Sequence, residues 1–132
     1  MIEDRMIADI DYMYKKYGFD ISNLEKEQLY AFVLWRANFI QEELDELYGA
    51  IEYKDPEEIV DALIDIIVVS LGTLNLLQVD TQKAWDEVLR ANLKKSVGRK
   101  ESRPNPFGFP DLVKHPAWIA PNHSDNHGLL SS

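Results

Sequence analysis

The 132-residue sequence predicts an all-α fold, a four-to-five-helix bundle completed by homo-oligomerisation and ending in a proline-rich tail. Three observations predict it. Apolar residues recur at intervals of three and four through four stretches bounded by helix start and stop signals. One of those stretches is apolar on nearly every side. Five of the six prolines fall after Val97, where no further long helix fits.

The first helix is expected from Ile2 to Tyr17, with Met6, Ile10, Met13 and Tyr17 on one stripe and Gly18 as its stop. The second opens at Ser22-Asn23-Leu24-Glu25, read as a capping box with Ile21 as staple, and runs to about Ile51. Asp55-Pro56-Glu57-Glu58 starts the third, with Asp at N-cap, Pro at N1 and Glu at N3, and it extends to about Leu77. The fourth spans Thr81 to Ser96. These give a helical domain over residues 1–98 and an irregular tail over 99–132. Phe107, Phe109, Trp118 and Ile119 suggest that the tail lies against the body or a partner subunit, and Ser124 to Ser132 read as disordered or partner-dependent.

Between Ile59 and Leu77 the third helix carries few polar residues. A membrane span has this length. Asp61 and Asp65 oppose that reading, since each costs ~2.5–3.5 kcal/mol at a bilayer centre, and the flanks are acidic rather than basic. A helix apolar all round is instead central in a bundle, and a chain with four helices needs a second copy to cover it. A homodimer or tetramer is expected.

Composition narrows the chemistry. With no cysteine, disulfides, thiolate metal sites and cysteine nucleophiles are excluded. A net charge of −9 argues against a nucleic acid polymer as partner. The N-terminus lacks a basic segment followed by an apolar core, so a cytoplasmic location is expected, the host cytoplasm if the chain is phage-encoded. No phosphate-binding Gly-x-x-x-x-Gly-Lys loop occurs, and His115, His123 and His127 lack ligand spacing.

The charge is unevenly placed. Glu42 through Asp65 holds ten acids and one base, whereas Arg90 through Arg103 holds six bases and one acid. Glu43 and Glu46 lie at i,i+3, as do Glu58 and Asp61, with Asp65 one turn further. A chain reversal at Tyr53 to Pro56 makes the two helices antiparallel and brings these carboxylates to similar heights. Carboxylates gathered in a partly apolar place repel one another, and a hard cation compensates; an all-oxygen set favours Mg²⁺ or Mn²⁺. The plainer alternative is that the acids at helix starts and on the second helix form a solvated face of a non-catalytic interaction module.

The order Glu42-Glu43-x-x-Glu46 followed by Glu58-x-x-Asp61 resembles the EExxE…ExxD signature of the all-α nucleoside triphosphate pyrophosphohydrolases, the MazG-like proteins. Dimeric dUTPases and phosphoribosyl-ATP pyrophosphohydrolases are their relatives. Asn92-Leu93-Lys94-Lys95 is similar to the family's Asn-x-x-Lys, with Lys94 where many relatives have Ser. The resemblance implies a metal-dependent hydrolysis of (d)NTP to (d)NMP and pyrophosphate. It implies that Glu43, Glu46, Glu58 and Asp61 bind the principal Mg²⁺ (or Mn²⁺), with Asp65 as an extra ligand or anchor. Glu42 and Glu43 are then the catalytic pair, Glu42 binding a further metal or orienting the attacking water. Lys95, with Lys94 or Arg99, holds phosphates, and Asn92 contacts sugar or phosphate. Trp35, Arg36 and Asn38 are candidate base contacts, although Trp35 also suits a bundle or dimer core. The compact chain and its Asn-Pro-Phe-Gly-Phe-Pro segment look like phage-type members, including the MazZ subgroup, which implies a purine such as (d)GTP. Phosphoribosyl-ATP, dUTP or dCTP are the alternative substrates.

Overall fold

The computed structural model describes residues 2–131, with side chains from residue 5 onward. Four helices follow in order: α1 (Ile2–Lys16), α2 (Lys26–Glu52), α3 (Pro56–Leu76) and α4 (Thr81–Leu93). Two short strands, β1 (Ser96–Gly98) and β2 (Asp111–Val113), then pair antiparallel, and a 3-10 turn spans Gly128–Leu130. Contacts divide the chain into two compact units. One runs up to Thr81 and resumes at Asn126; the other is Gln82–Asp125, so the division falls at the start of α4 rather than at residue 98.

In the first unit, α2 and α3 form an antiparallel hairpin and α1 packs on α3. Local chemistry sets the hairpin. Lys54 adopts a left-handed conformation (φ 52°), and Asp55 N–H reaches back to Ala50 O at 2.9 Å, closing the C-terminus of α2. Asp55 then caps α3 by accepting from Glu58 N–H at 3.2 Å, with Pro56 in the first turn, as expected. The same reversal ends α1 at Gly18 (φ 72°) and α3 at Gln78 (φ 60°).

Several expectations are corrected. Helix α2 begins at Lys26, not at Ser22. The Asp20 carboxylate takes Ser22 N–H at 2.8 Å and Ile21 O takes Leu24 N–H at 3.1 Å, which spends that segment on turns. The helix starts where Glu25 N–H finds Gln28 Oε1 at 2.9 Å. On α1 the buried residues are Ile10 and Tyr14, whereas Met6 and Tyr17 are exposed; the stripe is rotated toward Tyr14. Helix α4 stops at Leu93, because Ser96–Gly98 is drawn into pairing with Asp111–Val113. There is no fifth α-helix among the described residues.

Near the C-terminus, Asn126 and Leu129 are tied back to residues 77–80. Asp80 N–H donates to Asn126 Oδ1, and Asn126 Nδ2 returns a bond to Asp80 O, both at 2.8 Å. Leu129 N–H donates to Leu77 O at 2.7 Å. Polar side-chain closure of an otherwise open helix end supplies an order that composition does not show. Ser132 lies outside the described residues. In the second unit, Trp118 anchors the proline-rich segment to α4, its indole N–H donating to Ala91 O at 2.7 Å, while Phe107, Phe109 and Ile119 remain exposed.

Tyr14 reaches α3 only because position 72 has no side chain. A Cβ on Gly72 would come within 2.0 Å of Tyr14 Oη and 2.5 Å of its Cζ. Gly72→Ala is expected to lose about 1–3 kcal/mol in urea denaturation. In a Tyr14→Ala background the same change should be neutral or stabilising, since Ala outranks Gly in a helix by ~1 kcal/mol.

Candidate active site

Seven residues separate Arg36 from Glu43 and three separate Glu43 from Glu46, so all three share the face of α2 that meets α3. On α3 the matching face carries Asp61, Asp65, Val69 and Thr73. Going up α2 by a turn corresponds to going down α3 by a turn, and this register sets Glu43 and Glu46 against Asp65 and Asp61.

Glu43 is the centre of this group. It is 9% exposed, and its Oε2 has no hydrogen-bond partner. Burial first, then the negative charges of Glu46, Asp65 and Asp61, push its pKa up to about 7. Asp65, half-buried, is raised too, by burial and then by Asp61 and Glu46. Glu43 and Asp65 are thus partly withdrawn from water beside the exposed carboxylates of Glu46 and Asp61, and the first unit that holds them carries 18 acids against 6 bases. An orphaned buried carboxylate oxygen beside three further carboxylates is the donor set of a hard-cation site. Among the described residues no three such groups already converge on one point.

The other expected site residues are less involved. Glu42 is exposed on the flank of α2, and Glu58 is exposed in the first turn of α3; neither contributes to the shift at Glu43. Trp35 is 60% exposed and stacks at 6.1 Å on Phe32, so it is not core within the chain; Asn38 is exposed.

In the second unit, with eight bases and five acids, the basic block is partly spent. Arg90 pairs with Glu87 at 2.9 Å, and Arg103 pairs with Asp111 at 2.7 Å. Lys95 lies 5.4 Å above the Trp118 ring. Asn92 is half-buried, while Lys94 and Arg99 are exposed.

Arg36 and Tyr14 are the residues whose role the sequence reading did not find. Arg36 is buried and hydrogen-bonded to Tyr14 and α3 rather than facing a nucleobase. Its signal was present: a cation on the inward face of α2, two turns before Glu43.

A family model described as phosphoribosyl-ATP pyrophosphohydrolase matches residues 21–92, more than half of the chain. The chain belongs to that family. This phosphoribosyl-ATP pyrophosphohydrolase family lies within the MazG-like all-α superfamily, so the motif order Glu42-Glu43-x-x-Glu46…Glu58-x-x-Asp61 meant what it resembled. The chain is a nucleotide pyrophosphohydrolase. The matched span holds the whole carboxylate cluster and ends at Asn92, short of Lys94, Lys95 and Arg99. No curated protein and no solved structure matches the chain.

Proposed function

We propose that this member of the phosphoribosyl-ATP pyrophosphohydrolase family is a divalent-metal-dependent nucleoside triphosphate pyrophosphohydrolase of the cytoplasm, converting (d)NTP and water to (d)NMP and pyrophosphate. The observation that carries this reading is the buried, unpartnered Glu43 Oε2 among Glu46, Asp61 and Asp65.

Glu43, Glu46, Asp61 and Asp65 would hold Mg²⁺ or Mn²⁺, with Glu58 and Glu42 completing the set from its exposed edge. When bound, the cation offsets the triphosphate charge and lowers the pKa of a water. The chain's own part is to hold these carboxylates oriented beside one another at the α2–α3 seam, with Glu42 on the solvent side to receive or orient the nucleophilic water. Lys95 and Asn92 are assigned to the phosphates and sugar by the Asn-x-x-Lys motif at the end of α4, with Lys94 and Arg99 beside them, and Lys binds phosphate as a point charge. Trp35 and Asn38 are assigned to the base. A purine such as (d)GTP is the favoured substrate, on the likeness of the Asn105-Pro106-Phe107-Gly108-Phe109-Pro110 segment to phage-type members.

A panel measuring pyrophosphate release from every (d)NTP and from phosphoribosyl-ATP, with and without Mg²⁺ or Mn²⁺, tests this. Metal-dependent release that is fastest with a purine triphosphate supports it. Turnover of phosphoribosyl-ATP alone would move the substrate to the one in the family's description, and turnover undiminished in EDTA would remove the metal.

The active form is proposed to be a homo-oligomer. Val60, Leu63, Ile64 and Ile67 follow the i, i+3, i+4, i+7 pattern of one helix stripe, and all are exposed, from 40% to 62%. Helix α3 is long and apolar enough to cross a bilayer, but Asp61 and Asp65 on it belong to the carboxylate cluster. A second copy seated on this stripe removes it from water. Sedimentation velocity at micromolar concentration should show a dimer or tetramer, and Ile64→Lys should shift it to monomer. A wild-type monomer would refute the assembly.

A further inference from the structure

Arg36 is 6% exposed, and no carboxylate pairs with it among the described residues. Its charge is met in other ways. Nε donates to Thr73 Oγ1 at 2.9 Å, and Nη2 donates to Tyr14 Oη at 2.6 Å and to Val69 O at 3.1 Å. Thr73 Oγ1 in turn donates to Val69 O at 2.7 Å. The rings of Tyr14, Phe32 and Phe39 stand 5.7–5.9 Å from the guanidinium carbon.

A buried cation is an expensive way to join three helices, and an apolar side chain of similar volume would generally do so at lower cost. What a guanidinium adds is direction. Apart from Arg36 and Glu43, the buried residues of α2 and α3 are apolar, Leu29 and Ala50 from α2 and Ala62, Val69, Gly72 and Leu76 from α3, and apolar contacts are non-directional. The rigid fork of Arg36 grips one turn of α3, Val69 to Thr73, through a side-chain oxygen and a backbone carbonyl. That grip fixes both the axial offset and the rotation of α3 against α2.

Its position matters. Arg36 is seven residues from Glu43, about 10.5 Å along α2, and Val69 is one turn from Asp65 on α3. The carboxylates therefore lie between two fixed points, the capped reversal at Lys54-Asp55 and the Arg36 clamp. A slip of one residue rise, about 1.5 Å, is enough to spoil the geometry of a cation site.

We propose that Arg36 is a positioning residue: by clamping the Val69–Thr73 turn of α3 to α2 it fixes the register that holds Glu43 against Asp65, and so sets the affinity of the carboxylate cluster for a divalent cation. This rests on the metal-site reading given above.

The test is Mn²⁺ affinity, read from the free-ion signal in electron paramagnetic resonance, on the intact chain at a temperature well below melting. Arg36→Lys keeps the charge and loses the fork, and should bind Mn²⁺ at least tenfold more weakly than wild type. Thr73→Val, which removes the acceptor for Nε together with the hydroxyl bond to Val69 O, should weaken binding at least threefold and serves if Arg36→Lys does not fold. Leu29→Ala, a cavity in the buried part of α2 remote from the cluster, should lower stability and leave Mn²⁺ affinity within twofold. Arg36→Lys or Thr73→Val binding as tightly as wild type would overturn the clamp while leaving the metal site intact. An equal loss in Leu29→Ala would also overturn it, by showing that general destabilisation suffices. A wild-type chain that binds no Mn²⁺ would overturn both the clamp and the site.

Discussion

Glu43→Gln should remove pyrophosphate release by about 10³-fold or more, a loss of ~4 kcal/mol of transition-state stabilisation, and should also make the metal-free protein more stable at pH 8. The two effects share one origin. Glu43 is buried with an unpartnered oxygen and pressed by Glu46, Asp65 and Asp61, so its ionised form is costly to the fold. The isosteric amide removes that charge without opening a cavity. Stability lost to the arrangement of a working site is recovered when the site is disabled. Asp61→Asn should cost activity similarly, because Asp61 lies near enough on α3 for its charge to act on Glu43. Circular dichroism and thermal melting in EDTA, beside a pyrophosphate assay in Mg²⁺, give the comparison. Turnover surviving in Glu43→Gln would refute the site, and a lower melting temperature at pH 8 would refute the account of its electrostatics.

The metal-free wild type should melt at progressively lower temperature as pH rises from about 4.5 to about 7. The sign follows from linkage. A carboxyl whose folded-state pKa is raised from 4.5 to about 7 keeps its proton in the native state where the unfolded chain has already lost it. The native state binds more protons across that window, so stability falls as pH rises, and the deficit is complete above pH 7. Its size is on the order of 2–3 kcal/mol. The raised pKa of Asp65 adds in the same direction. Millimolar Mg²⁺ at pH 8 should restore the lost stability by binding the ionised native state alone. Glu43→Gln should flatten the slope and remove most of the Mg²⁺ effect. A melting temperature that rises between pH 4.5 and 7 would contradict this account.

The parts of the fold legible in the sequence are those with local causes. Asp55-Pro56 as cap and first turn, Gly18 as stop, and the antiparallel hairpin of α2 and α3 all follow from residues within four positions of one another. The nearness of Glu43, Glu46, Asp61 and Asp65 across the hairpin was legible too, because they sit at helical spacing on two helices joined by a short reversal. Long-range partners were not legible. Nothing near Tyr14 in the chain indicates that it lies over Gly72, or that Asn126 clasps Asp80. Serine 22 looked like a cap until Asp20, two residues earlier, competed for its N–H. The end of α4 was misjudged because Ser96–Gly98 has a partner fifteen residues away, beyond any periodicity. Glu42 and Glu58, which the motif names beside the others, stand exposed on the flank, and spacing alone does not separate them from Glu43.

The two hydrogen bonds between Asp80 and Asn126 also bear on how this chain can change. Residues 82–125 leave and re-enter the first unit at a single knot, so they form a closed excursion whose ends stay together whatever its length. Closing a longer loop adds little, about 0.6 kcal/mol for each doubling. The excursion can therefore be lengthened, shortened or exchanged for that of a relative while α1 to α3 keep their own stitching. Chimeras cut at Asp80 and Asn126 should fold, as circular dichroism and thermal melting would show.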